Sequence, residues 1–593
     1  MFLATTGAEA FWDVTKPLLF LGEWCKQQSK KDVWEKLNIT VLDSSSICAS
    51  SLQSYYYSIE KYEKLLPTLG CWFNKIHHVN YSMNYWRIIF GPFLLWYIQS
   101  MHHRLTYLKL AYSIYPDLET IGLSKASFLT PCDTGEFYAL TSDSDSWNLQ
   151  LFTQILLESG LCAKLLYRKY DWKNELEQRK KRITRSQYKL VTRTKLKLMQ
   201  FFINVFPYRK ILLNDNAAIG NKHRLKLFFL SKFKILPLIT SIGNDMENLY
   251  QNISLDHDLR TQIKSLSVDD EFSQLILKTL VINTPLNFIE KYYSYAKFSN
   301  KIYPYKPKVV ISVDWAGNDF IKFWGAKIAE KGTKVIGLQH GGGYGMVKFC
   351  SLEYLERDNT HHFISWGWKE DDTILPLPSL SSASLFERYQ PKLKKESQTI
   401  IFWPVSEPIS RYLVFYGSYV NDNYNSYFEW QQRFSIALSP KIRHQLLLRL
   451  RPNSKYFQLT KTYLPEINIF RPTTRDSFFE QLCEAKIVVS DNLHTTVLYA
   501  LYCNIPTILF CCNDFWAVRP QAEVFIQLLR EAKIYHDTPE SAALFLNEIE
   551  KDINVWWSSK QVQLARNNFL QYFAKTDQNW CKTWANTLLK ALD

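Results

Sequence analysis

The sequence predicts an α/β fold, with two Rossmann-like domains facing across a cleft and a helical segment at the C-terminal end. Three observations predict it. Strand-length apolar runs alternate with helical patterns over 308–338 and again over 399–510. Polar loops rich in glycine or hydroxyls follow several of those runs, at the edge where open parallel sheets bind ligands. The 593 residues are 47% hydrophobic and 15% aromatic, enough apolar material for more than one core.

In chain order, residues 17–21 read as a strand that ends in Gly22-Glu23-Trp24-Cys25, which places Glu23 at a carboxyl edge. The apolar run 88–98 is interrupted by Gly91 and Pro92 and is shorter than the roughly 20 residues of a membrane span. Asp143-Ser144-Asp145 reads as a loop-to-helix junction, in which capping accounts for one of the two acids. Residues 308–313 form a strand, 320–331 a helix and 333–338 a second strand, a β-α-β unit with an unusual polar loop at each strand end. The charged stretch 392–398 is the expected linker. Strands follow at 399–403, 445–451, 486–490 and 506–510, and the tail is helical and tryptophan-rich. The expected division is 1–391 as a Rossmann-like acceptor-side domain, 392–550 as a nucleotide-binding one, and 551–593 as helices packing back on the first.

The 71 basic and 56 acidic residues give a net charge of +15, which favours anionic partners. Between Lys164 and Lys210 lie fifteen Lys or Arg and three acids. The run from Arg179 to Lys197 reads either as a solvated helical face or as a dock for an anionic membrane surface. Aromatics do not interleave with it, so nucleic acid is not an expected partner. Residues 1–20 lack a basic n-region and carry Glu9 and Asp13, so a cytoplasmic protein, peripheral on the inner membrane face, is expected. Eleven scattered cysteines without C-x-x-C spacing read as reduced thiols, and no metal site is expected.

Gln339-His340-Gly341-Gly342-Gly343 is the strongest local signal. Three glycines at a strand end form either a tight turn or a backbone cradle for an anion, and Gln339 and His340 beside them favour a site. His340 suits phosphate or carboxylate binding, or acid–base chemistry. Asp314 closes an apolar strand and needs a cleft or a partner, while Asn318 reads as a helix cap. Arg449 and Arg451 alternate on a strand, and Ser490 to Thr496 leads into a helix whose N-terminus suits an anion. Asn492, His494, Thr495 and Thr496 stand there.

These residues also carry a resemblance. Phe2-Leu-Ala-Thr-Thr6, Phe11-Trp12-Asp13, the segments Leu19 to Cys25 and Tyr85 to Pro92, Asp145-Ser146-Trp147-Asn148, Gln339 to Gly345, Thr538-Pro539, Ala542-Ala543 and Trp556-Trp557 are similar to a family of transferases of this length. That family is encoded in bacterial surface-polysaccharide (O-antigen) gene clusters. The resemblance implies GT-B glycosyl transfer from a nucleotide-sugar donor to a glycan, lipid-linked glycan or lipopolysaccharide acceptor, with no further cofactor. A more distant similarity to the retaining β-Kdo glycosyltransferases implies a CMP-linked ulosonic acid donor. Asp314 is then the nucleophile, and His340, with Gly341, Gly342 and Gly343, meets the donor's carboxylate or phosphate. Arg449, Asn492, Thr495 and Thr496 hold the nucleotide, and Glu23 and Asp145 activate the acceptor. Tyr499 stands where the family carries a ribose-binding Glu, and His494 where a small polar residue is commoner. A UDP- or GDP-sugar transferase, a non-catalytic scaffold and a two-domain epimerase are the rival readings.

Overall fold

The computed structural model describes residues 1–185, 201, 203, 210–215, 219–239, 249, 254–393, 400–405, 411–412, 424–452, 454, 456–473, 478–513 and 515–590. The linker stretch from 394 onward and the basic run from 186 onward lie outside them. Among the described residues sixteen strands form three sheets, and every strand pair within them is parallel. The first 391 residues, expected to hold one Rossmann-like domain, hold two of the sheets.

The first sheet runs β3-β2-β1-β4-β5, from β1 (Phe2–Ala4), β2 (Leu18–Phe20), β3 (Ile39–Val41), β4 (Glu119–Leu123) and β5 (Lys164–Arg168). Its central strands are buried on both faces, as helix-covered parallel sheets require. The run 88–98 lies inside the helix Met83–Ile114, which Ser82 caps by accepting from Tyr85 N at 3.3 Å. This helix packs against the helix Ser51–Ile76 and against the helix Asp319–Ala329 of the next layer. Its apolar surface therefore faces protein on two sides, and one core spans both sheets. Among the described residues no helix is long and apolar enough to cross a membrane.

The second sheet runs β11-β10-β9-β8-β6-β7, from β6 (Ile211–Asn214), β7 (Ile235–Pro237), β8 (Val309–Ser312), β9 (Lys334–Leu338), β10 (His362–Ser365) and β11 (Ile374–Pro376). Asn318 caps the helix after β8 by accepting from Phe320 N at 3.0 Å. The third sheet runs β14-β13-β12-β15-β16, from β12 (Ile400–Pro404), β13 (Leu446–Arg449), β14 (Asn468–Phe470), β15 (Ala485–Ser490) and β16 (Thr507–Leu509).

The two later layers are stitched along one side. Lys348 N donates to Ala517 O at 2.8 Å, Arg519 N to Met346 O at 2.7 Å, and a shared core lies beneath. The last helix, Trp580–Lys590, returns to the second sheet, where Trp584 Nε1 donates to Pro378 O at 2.9 Å.

Candidate active site

The carboxyl ends of the second and third sheets border one cavity of about 840 Å³. The loop after β9 contributes His340, Gly341, Gly342 and Gly343. The end of β13 contributes Arg449 and Arg451, and the loop after β15 contributes Asn492, His494, Thr495 and Thr496. Phe478, Phe479 and Tyr499 form an aromatic wall, with the Phe479 and Tyr499 ring centroids 5.4 Å apart. Two parallel sheets that meet edge to edge around a cleft are the GT-B arrangement, so that expectation holds with a third sheet added in front.

At the narrow end of the cleft the two sheets touch. Gly342 N donates to Thr495 Oγ1 at 2.8 Å, and a Cβ on Gly342 would stand 2.5 Å from the backbone of His494 and Thr495. One N–H of the tri-glycine thus closes a seam between layers rather than facing a ligand. Gly343 follows at φ +89°, a conformation that L side chains resist.

Gln339 was expected to bind the donor, but its side chain is buried beneath the loop. Its Nε2 donates to Gly341 O at 2.9 Å, and its Oε1 accepts from Trp366 N and Trp368 Nε1, each at 2.8 Å. It holds the glycine loop in place and does not line the cavity.

His340 is the loop's most accessible polar side chain in the site, with 38% of it exposed, and its Nδ1 lies 3.6 Å from Glu356 Oε1. Desolvation lowers its pKa from the ordinary value, and the nearby charge of Asp314 opposes that shift. Glu356 is 1% exposed and accepts from Tyr344 Oη at 3.0 Å. Burial raises its pKa well above the usual carboxylate range, although the Tyr344 hydroxyl pulls the other way, and the charges of Asp314 and Glu353 add to the rise. Burial thus favours the uncharged form of both partners, an acid and an imidazole 3.6 Å apart.

Asp314 follows β8 and does not itself line the cavity. Its Oδ2 accepts from Asn214 Nδ2 at 2.9 Å, its N–H donates to Ser312 Oγ at 3.0 Å, and its charge acts on both His340 and Glu356.

On the third sheet, Arg449 is buried, stacks over Phe470 with 5.5 Å to the ring centroid, and donates to Gln481 Oε1. Burial lowers its pKa. Arg451 lies past the strand end, so the two arginines share the cavity without alternating along one strand. His494 meets Trp516 edge-on at 4.5 Å, and burial next to Arg451 pushes its pKa down to about 3. It enters the site as a neutral ring. Asp491, buried just before it, accepts from Tyr427 Oη and Gln431 Nε2, each at 2.7 Å.

The two acids expected to activate the acceptor lie elsewhere. Asp145 begins the helix Asp145–Ser159 in the first layer, and its carboxylate is fully engaged. It accepts from Gly7 N at 2.8 Å, Gln27 Nε2 at 2.6 Å, Arg411 Nη2 at 2.7 Å and the Tyr412 hydroxyl. Five hydrogen bonds, counting the second one from Arg411 at 3.2 Å, make it a clamp rather than a proton carrier. Glu23 pairs with Lys26 at 3.1 Å and does not line the cavity.

Sequence reasoning missed Glu356. The run from Ser351 to Asp358 carries four charges in eight residues and reads as a solvated helix. The spacing of Glu353 and Glu356 beside Leu355 was the available signal, since residues three apart share a face.

The profile of the LIC12162 family transferases matches residues 1–588. The chain belongs to that family. No curated protein matches this transferase. Solved structures similar to it include UDP-GlcNAc 2-epimerase from Neisseria meningitidis bound to UDP-GlcNAc, at 11% identity and a TM-score of 0.35 over 64% of this chain and 99% of that one. MurG from Acinetobacter baumannii is 11% identical with a TM-score of 0.31, over 65% and 100% of the two chains. WaaG, a glycosyltransferase involved in lipopolysaccharide biosynthesis, is 11% identical with a TM-score of 0.28, over 65% and 99%.

Proposed function

We propose that this transferase moves a sugar from a nucleotide-activated donor to a surface-glycan or lipopolysaccharide acceptor, with the donor in the cleft between the second and third sheets. The observation that carries this reading is the cavity. It brings two guanidiniums, the N-terminus of the helix Thr495–Tyr502 and His340 together around one space of about 840 Å³, a chemistry suited to phosphate and carboxylate groups. Family membership supplies group transfer.

The donor that fits this cation-rich lining best is a CMP-linked ulosonic acid, which offers a phosphodiester and a carboxylate. Where the donor's sugar reaches past His340, out of the cavity lining, Asp314, oriented by Asn214, would attack the anomeric carbon as the bond to the nucleotide phosphate breaks, and the nucleotide leaves. An acceptor hydroxyl would then displace Asp314 while the His340–Glu356 pair takes its proton, so that configuration is retained overall.

Thermal-shift titration with CMP, UDP and GDP tests the reading, because a ligand of the native state raises stability by RT ln(1 + [L]/Kd). A selective response to CMP supports the ulosonic acid donor. A preference for a diphosphate keeps nucleotide-sugar transfer and discards that donor, and silence from all three removes the nucleotide site.

A further inference from the structure

Outside the lining of the cleft, the helix Asn221–Leu230 and the turn after it hold apolar side chains out in solvent. Leu225 is 55% exposed, Phe229 58%, Leu230 39% and Phe233 46%. The helix cannot roll to hide them, because its other face is fixed. Leu227 is buried in the second sheet's core, and His223 is buried against Trp580, with ring centroids 5.1 Å apart, and bonded to Glu387 at 2.7 Å.

The turn is built to keep the tip in place. Lys232 and Phe233 both have positive φ, +54° and +65°, a region that a bulky aromatic rarely enters. Phe233 N donates to Phe228 O at 2.8 Å and holds that conformation. Phe233 then packs on Phe228 and Phe229, with centroids 4.9 and 5.7 Å away, and the three rings form an aromatic knob.

Lysines surround the knob. Lys222, Lys226 and Lys232 are exposed and Lys234 is half-buried. The acids facing the same helix are already engaged: Asp215 pairs with Arg224 at 2.7 Å, and Glu387 faces His223, Trp580 and Lys226.

We propose that the knob of Leu225, Phe229, Leu230 and Phe233, ringed by Lys222, Lys226, Lys232 and Lys234, is a docking surface for an anionic lipid bilayer. The rings enter the boundary between head groups and acyl chains while the lysines meet lipid phosphates. In sequence these residues lie apart from the run Arg179 to Lys197, whose first residue pairs with Glu136 at 2.7 Å. It does not rest on the identity of the donor.

The test is flotation of the full chain with vesicles of phosphatidylcholine alone and of phosphatidylcholine mixed with phosphatidylglycerol. Phe229→Ser/Phe233→Ser should weaken binding to the mixed vesicles by about tenfold or more. Lys222→Glu/Lys232→Glu should abolish the preference for them. Both pairs lie on the surface, so the melting temperature and nucleotide binding should stay at the wild-type value. Equal binding by wild type and the Phe variant overturns the proposal. So does equal affinity of the wild type for both vesicles, or a lipid-free dimer that the Phe variant dissociates, which would make the knob a self-association surface.

Discussion

Arg411 and Asp145 form an ion pair, 2.7 Å between Nη2 and Oδ2, that ties the segment after β12 to the carboxyl edge of the first sheet. The same guanidinium donates to Asp143 O at 2.8 Å and Trp24 O at 3.1 Å, and Arg411 N donates to Ser142 O at 3.1 Å. Arg411 and Tyr412 thus bring the segment after β12 against Trp24, Ser142, Asp143 and Asp145 of the first layer.

Arg411→Ala leaves Asp145 buried with one strong donor gone. Breaking a buried pair costs about 3–5 kcal/mol, so the lower end is expected here, since 13–19% of each side chain is still exposed. Denaturant unfolding of Arg411→Ala, Asp145→Asn and the double variant checks it. The double variant should lose less than the sum of the singles, and strict additivity would deny the coupling.

Asp314→Asn should lower turnover by about a thousandfold or more, as loss of a nucleophile does. Nucleotide affinity should persist, because the cavity residues around Arg449, Arg451 and Thr495 are untouched by the change. Near-normal turnover removes it from the mechanism.

Glu356→Gln separates charge from shape. The folded pKa of Glu356 is raised, so between the ordinary value and that raised one the folded state keeps a proton that the unfolded state has lost. Stability contributed by the neutral acid is therefore present at low pH and is lost as pH rises through that window. The variant cannot ionise, so its melting temperature should gain on the wild type's with rising pH. Parallel curves from pH 5 to 9 would show that Glu356 is not held neutral. Its turnover should fall by about a hundredfold, the usual worth of a proton-transfer partner.

Gly342→Ala should open the seam, since its Cβ has only backbone to meet at 2.5 Å. Overpacking of this kind costs about 1–3 kcal/mol, and nucleotide affinity should fall with it. Gly341→Ala is the control, because its Cβ finds nothing nearer than Thr495 Oγ1 at 3.7 Å. Equal effects at the two positions would contradict a seam at Gly342.

Burial lowers the pKa of His494 to about 3 and of His77, His102 and His536 to about 4. Each is neutral in the folded state at a pH where the unfolded chain has taken a proton. Their contribution is complete above pH 6.5 and is lost as pH falls toward 4, by at most about 1.4 kcal/mol per pH unit for each group. Urea unfolding at pH 7, 6 and 5 should show this slope, and His494→Gln should make it shallower. An unchanged slope would mean that His494 is protonated in the native state.

Much of the second and third sheets was legible. β8, β9, β12, β13, β15 and β16 are apolar runs bounded by turn chemistry, and the loops after β9 and β15 announced themselves by glycine and hydroxyl content. The first sheet was not legible as a sheet, because β1, β2 and β3 are three residues each and too short for any periodicity. The cavity gathers His340, both arginines and Asn492 to Thr496 as read. Gln339 and Glu23 at strand ends and Asp145 at a helix start were misplaced for a common reason: a polar residue at the end of an element looks the same whether it faces a ligand or braces a loop, and only the partners decide. Arg411 left no local trace, since its partner is 266 positions away.

That separation has a kinetic consequence. Closing so long a loop costs chain entropy before any contact repays it, so the Arg411–Asp145 bond should form after each sheet has assembled on its own local contacts. Interactions made late on the folding route act as brakes on unfolding. The clamp therefore sets how long the assembled molecule lasts once formed, while the rate at which it assembles is set elsewhere.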